Sequence, residues 1–193
     1  MPIAVVIRPG ETEFDQQERI QGTLELPLSL RGERQVSELV DAVRPLAIKQ
    51  IYTSPADPAR TTARRIGEAL DIPVKVVDML SNLDHGLWQG LCVDEIKRKH
   101  PKVFKQWSET PESVCPPLGE TCDQAFERAT KALRKPMKRK DHFAIVSSEP
   151  MATLLECVLR REVPKLCSPA SRNGHHPVTL IEMGKPETVA VAD

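Results

Sequence analysis

A chain of 193 residues with 40% hydrophobic content is long enough for one domain with a sizeable core and too short for two ample ones. Its 27 basic and 27 acidic residues cancel, which excludes a protein built chiefly to grip nucleic acid or an anionic membrane. The apolar run Ile3–Ile7 before Arg8 is shorter than a signal peptide's hydrophobic region and nothing approaches a membrane span, so a cytoplasmic protein is expected.

Ile3–Ile7 reads as a buried strand, and Leu30–Val43 as an amphipathic helix with Val36, Leu39, Val40 and Val43 on one face. Gln50–Thr53 is a second strand leading into a helix, with Asp57 as its cap and Pro58 at the first helical position, where an N–H would have no helical partner. Residues 74–77 form a third strand and 94–100 a short helix closed by Pro101, while 108–118, with three prolines, is a loop. A helix over 120–134, a strand over 143–147, a helix Met151–Arg160 and closing strands Val178–Glu182 and 188–191 complete the chain. Strands alternating with helices imply an α/β three-layer αβα sandwich with a mainly parallel sheet, residues 1–193 forming a single domain. Ligands of such sheets sit beyond the carboxyl ends of the strands, where Arg8, Ser54 and Ser148 would gather.

Several short motifs punctuate these elements. The first strand ends in Arg8-Pro9-Gly10-Glu11-Thr12, followed by Arg19-Ile20-Gln21-Gly22, Pro27-Leu28-Ser29 and Arg31-Gly32-Glu33-Arg34-Gln35. Then come Thr53-Ser54-Pro55, Thr62-Ala63, Gly86-Leu87-Trp88-Gln89-Gly90, Pro117-Leu118-Gly119-Glu120-Thr121 and Ile145-Val146-Ser147. In order and spacing this series resembles the histidine phosphatase superfamily, the phosphoglycerate mutase-like fold.

That resemblance implies a pocket of five side chains. Its first arginine is kept as Arg8, whereas its nucleophilic histidine falls on Pro9, which has no imidazole to accept a phosphoryl group and no N–H to donate. The second arginine falls on Pro58; Arg60 lies two residues on, about 200° around a helix, and need not face the pocket. The proton-donating acid falls on Asn82, which cannot serve as a general acid. The second histidine falls on Ser148, followed by Glu149, a carboxylate that would oppose a phosphate.

Four of the five positions thus carry a different kind of residue, and phosphoryl transfer depends mostly on positioning and charge. The expectation is a catalytically inactive pseudo-phosphatase, a binding or regulatory module with no cofactor and no metal. Its vestigial pocket comprises Arg8, Pro9, Pro58, Asn82, Ser148 and Glu149, and the possible ligand contacts are Arg8, Ser54, Arg60, Ser148 and His175. A small polar or anionic ligand or a protein partner would bind it, without nucleic acid or membrane. The alternative is a phosphatase or mutase with a rearranged site in which a group such as His175 stands in.

Other nucleophiles are weaker readings. Cys92 with Arg98 and Cys122 with Arg128 have the C-x5-R spacing of cysteine-dependent phosphatases, but the intervals contain Asp94, Glu95, Asp123 and Glu127 and look helical. The adjacent His175 and His176 precede a strand and could approach Arg8; exposure to solvent is their blander role. His85 is expected to pack against Trp88. The basic segment 131–140 reads as a solvated helix end, and the five cysteines show no metal-binding pairing.

Overall fold

The computed structural model describes residues 1–167 and 176–183. Five strands, β1 (Ile3–Ile7), β2 (Gln50–Thr53), β3 (Val74–Val76), β4 (Phe143–Val146) and β5 (Val178–Glu182), form one sheet in the order β3-β2-β4-β1-β5. The β1–β4, β2–β4 and β2–β3 pairs are parallel, and β5 runs antiparallel along β1. Continuous apolar strands suit a sheet covered on both faces, and β1 alternates between two cores. Ala4 and Val6 pack with Ile145, Leu154 and Leu155 under α6 (Cys122–Leu133) and α7 (Met151–Arg160). Val5 and Ile7 pack with Leu39, Ile51 and Ile66 under α2 (Leu30–Val43) and α3 (Ala59–Leu70). The α/β three-layer arrangement expected from the sequence is therefore present.

The motif residues do much of the local building. Thr12 and Asp15 make a capping box for the short helix α1 (Glu13–Gln16), and the Ser29 hydroxyl caps α2 by accepting from Gly32 N at 3.0 Å. Thr121 caps α6, so that helix starts at Cys122 rather than at residue 120. Gly32 is fixed by crowding, since a Cβ there would collide with the Glu11 backbone.

The largest departure lies between β3 and α6. Pro101 was expected to close the helix before it, α4 (Val93–Lys99); it also opens another, α5 (Pro101–Glu109), because proline is as suited to a first helical turn as to a stop. Phe104 and Trp107 lie three residues apart on α5, and Trp107 packs against Trp88 at 5.1 Å between ring centroids, making a third small core with Ile20 and Ile96. His85 contacts Trp107, with ring centroids 6.4 Å apart. The expected strand 188–191 lies outside the described residues.

Removing the Ser29 cap with Ser29→Ala should lower stability by about 1 kcal/mol. A urea titration should show this as a lower midpoint with an unchanged slope.

Candidate active site

At the carboxyl ends of β2 and β4 the chain leaves a small, solvent-open cleft whose lining includes Gln21, Ser54, Asp57, Ser81, Asn82 and Ser148. Ser54 follows β2 directly, and Ser148 lies two residues past β4. Both serines are largely buried, and no hydrogen bond engages the Ser148 hydroxyl among the described residues. Of the expected pocket residues, only Ser54, Asn82 and Ser148 line the cleft; Arg8, Pro9, Pro58 and Glu149 do not. His175 lies outside the described residues.

The start of α3 shapes one wall. Pro58 occupies the cap position itself and Ala59 is the first helical residue, one position later than the sequence suggests. Asp57, expected as the cap, lies one position before it and accepts from Thr61 N at 3.0 Å and Thr61 Oγ1 at 2.8 Å. Burial alone would raise the Asp57 pKa, but hydrogen bonds from Thr61 and Arg60 outweigh it and hold the carboxyl below its ordinary value. Arg60, which need not have faced the pocket but was among the possible ligand contacts, reaches the rim: its Nη2 lies 3.2 Å from Asp57 Oδ2 and 2.6 Å from Glu25 Oε1.

Arg8 was expected to be available to a ligand, with Glu149 opposing it. The structure instead joins the two: Arg8 Nε donates to Glu149 Oε1 at 2.5 Å, and Nη1 donates to the His176 carbonyl and to Thr179 Oγ1. Glu156 Oε1 is 2.9 Å from Nη1 as an ion pair without an aligned hydrogen bond. Burial would lower the Arg8 pKa, but the Glu149 and Glu156 carboxylates overcome it and raise the guanidinium further. The opposite oxygen of Glu149 accepts from Thr153 N and Oγ1 at 3.3 and 2.8 Å. Glu149 is therefore drawn off the cleft by an internal cation, an arrangement that residue order along the chain does not reveal.

Asn82 has a structural task of its own. Its Nδ2 donates to the carbonyls of Gly22 at 3.0 Å and Glu149 at 2.8 Å, and its Oδ1 accepts from Leu83 N and Met151 N. One amide thus pins the Gly22 turn, the β3–α6 connection and the start of α7; a carboxylate could accept but not donate both bonds. Beneath it, Arg128 grips Glu120 with two nitrogens, at 3.0 and 2.7 Å, and donates to the carbonyls of Met79, Ser81 and Asn82. That role removes the Cys122/Arg128 pair as a phosphatase centre. The Cys122 thiol is buried, and desolvation pushes its pKa up to about 11, the wrong direction for a nucleophile. Cys92 is the cap residue of α4, whose helical interval also fails to form a phosphate-cradling loop.

Two outcomes follow from this geometry. Asn82→Asp sets a carboxylate against the Gly22 and Glu149 carbonyls, raising its folded-state pKa above the unfolded value near 3.9. Denaturation should show a loss of about 1 to 3 kcal/mol at pH 7 that shrinks as pH falls toward about 4. The raised Cys122 pKa stabilises the fold below the thiol's ordinary value of 9.0, and this contribution is lost as pH rises through about 11. Melting curves should therefore decline over that range more steeply for the wild type than for Cys122→Ala.

Comparison with known proteins places this geometry in context. The chain is 29% identical over 181 residues to phosphoserine phosphatase 1 of Hydrogenobacter thermophilus, covering 92% of this chain and 86% of that protein. It is 33% identical over 129 residues to a probable phosphoglycerate mutase, GpmB, of Klebsiella pneumoniae, covering 66% of this chain and 60% of that one. Among solved structures, mycobacterial glucosyl-3-phosphoglycerate phosphatase superposes with a TM-score of 0.79 at 23% identity, over 88% of this chain and 87% of that one. Phosphoserine phosphatase of Entamoeba histolytica, solved with 3-phosphoglyceric acid, gives 0.74 at 19% identity over 93% and 90%. Relatives bearing the names of phosphatases and mutases overturn the expectation of an inactive binding module and favour the rearranged-site alternative. Missing side chains at the family positions do not by themselves exclude chemistry, since a fold can host reactivity on other groups. Residues 4–193 match the profile of the histidine phosphatase superfamily (branch 1), and the chain belongs to that family.

Proposed function

We propose that the protein is a phosphoglycerate mutase-like phosphatase or phosphomutase whose reacting groups are rearranged. On this reading it lacks both histidines of the family pocket, their positions being Pro9 and Ser148, and it carries Pro58 and Asn82 where the second arginine and the acid would stand. The observation that carries the proposal is the Ser148 hydroxyl, uncommitted among the described residues and lining a cleft beyond the carboxyl end of β4. A phosphomonoester in the cleft would present its phosphorus to that oxygen.

In the reaction, a bond forms from Ser148 Oγ to phosphorus as the bond to the ester oxygen breaks. The departing alcoholate takes the proton that Ser148 gave up, and water or an acceptor hydroxyl then displaces the serine from phosphorus, its own proton passing to Ser148 Oγ as that bond breaks. Because the transition state is loose, positioning and charge contribute more than strong nucleophilicity. Asp57, which lines the same cleft, is the candidate to relay the Ser148 proton.

The purified protein should hydrolyse p-nitrophenyl phosphate or a natural phosphomonoester above a no-protein control. Ser148→Ala should lower kcat by about 100-fold or more while the protein stays folded, as expected for loss of a nucleophile. Background rates across a panel of phosphomonoesters, or full activity in Ser148→Ala, would rule the proposal out.

A further inference from the structure

A phosphomonoester brings nearly two negative charges into the cleft at neutral pH. The lining contains the Asp57 carboxylate and, among the described residues, no lysine, arginine or histidine. Arg8 is spent on Glu149 and Glu156, with its side chain only 11% exposed. The amides are committed too: Asn82 Nδ2 to the Gly22 and Glu149 carbonyls, and Gln21 Nε2 to those of Leu24 and Asp57. Inside the cleft, a phosphoryl group would meet the Ser54 and Ser148 hydroxyls and, among the described residues, no positively charged side chain.

Arg128 touches the lining residues Ser81 and Asn82 but is spent on their carbonyls and on Glu120, whereas Arg60 stands at the α3 wall. It lies in the first turn of α3, and its guanidinium bridges Asp57 in the 54–57 segment to Glu25, which follows the cleft-lining residue Leu24. The two carboxylates differ in how firmly they are held. Asp57 is fixed by Thr61 N and Oγ1 as well as by Arg60, whereas Glu25 is 58% exposed and is held by Arg60 alone among the described residues. Exposed ion pairs of this kind contribute little and exchange readily, and a guanidinium fork suits phosphate oxygens at least as well as a carboxylate.

We infer that Arg60 recognises the substrate's phosphoryl group and that Glu25 is a place-holding carboxylate which the phosphoryl group displaces. This rests on the reading of the cleft as a phosphomonoester site. Glu25 then sets a threshold: a doubly charged anion outcompetes it, while a singly charged one gains little.

Calorimetric titration with inorganic phosphate at fixed ionic strength tests this on the wild type, Glu25→Gln, Arg60→Ala, Arg60→Lys and the double variant Glu25→Gln/Arg60→Ala. Glu68→Gln, which removes a similar exposed charge paired with Arg64 on the same helix, controls for net charge. Glu25→Gln should tighten binding about five-fold, the scale of an exposed ion pair. Arg60→Ala should weaken it by about ten-fold or more, Arg60→Lys should restore part, and the Glu25→Gln gain should vanish in the double variant. Equal effects of Glu25→Gln and Glu68→Gln, a gain that persists without Arg60, or no phosphate binding by any protein would overturn the inference. Phosphomonoester turnover with a KM unmoved by Arg60→Ala would sink the role of Arg60 and leave the enzymatic reading standing. Tighter phosphate binding in Glu25→Gln without turnover in any protein would support the role of Arg60 and sink the enzymatic reading.

Discussion

The guanidinium of Arg8 ties together three elements that meet at the carboxyl end of the central strand. From the end of β1 it holds Glu149 before α7, Glu156 within α7 and Thr179 on β5. Burying such charges costs several kcal/mol per ion, at the order of magnitude, and is offset only where the remaining polar atoms find partners. Here they largely do, because Glu149 is shared between Arg8 and the first turn of α7. With Glu149 held in this way, its backbone carbonyl meets Asn82, and the adjacent Ser148 is set at the cleft. Ion pair and amide together fix the geometry of the wall carrying the candidate nucleophile.

The same ion pair redistributes charge around the site. An arginine at the end of the first strand would ordinarily be the obvious partner for an anion, but this one is satisfied from within the protein. The cleft is left with hydroxyls, committed amides and one carboxylate, so charge recognition moves outward to its rim. The concept of a dead pocket followed from counting absent groups. Similarity to phosphatases and mutases directs attention to the groups that are present: Ser148, Ser54, Asp57 and Arg60.

Strand and helix positions were legible in the sequence because the two periodicities are strong and the caps are explicit. β1, β2, β5, α2 and α7 begin and end where their apolar patterns do. The segment between β3 and α6 was not, since its order comes from Trp88, Trp107 and Ile20 meeting from distant parts of the chain. Pro101 illustrates the difficulty, as the same residue can stop one helix and start the next. Motif order identified the family and brought Ser54, Asn82 and Ser148 to one cleft. The pairing of Arg8 with Glu149 spans 141 positions and has no local signature, and the reach of Arg60 to Glu25 depends on a loop 35 residues earlier. Side-chain partnerships across such separations follow from the packed fold, whereas residue type reports only what each position could do.

Covalent trapping addresses the central claim most directly. The wild-type protein would be mixed with a phosphorus-32 phosphomonoester, quenched within milliseconds to seconds, digested and mapped by mass spectrometry. Label on Ser148, stable to acid as a serine phosphate is and discharged on further incubation with water, is the result the rearranged site predicts. Turnover with label on another residue, or with no covalent intermediate at all, would contradict it.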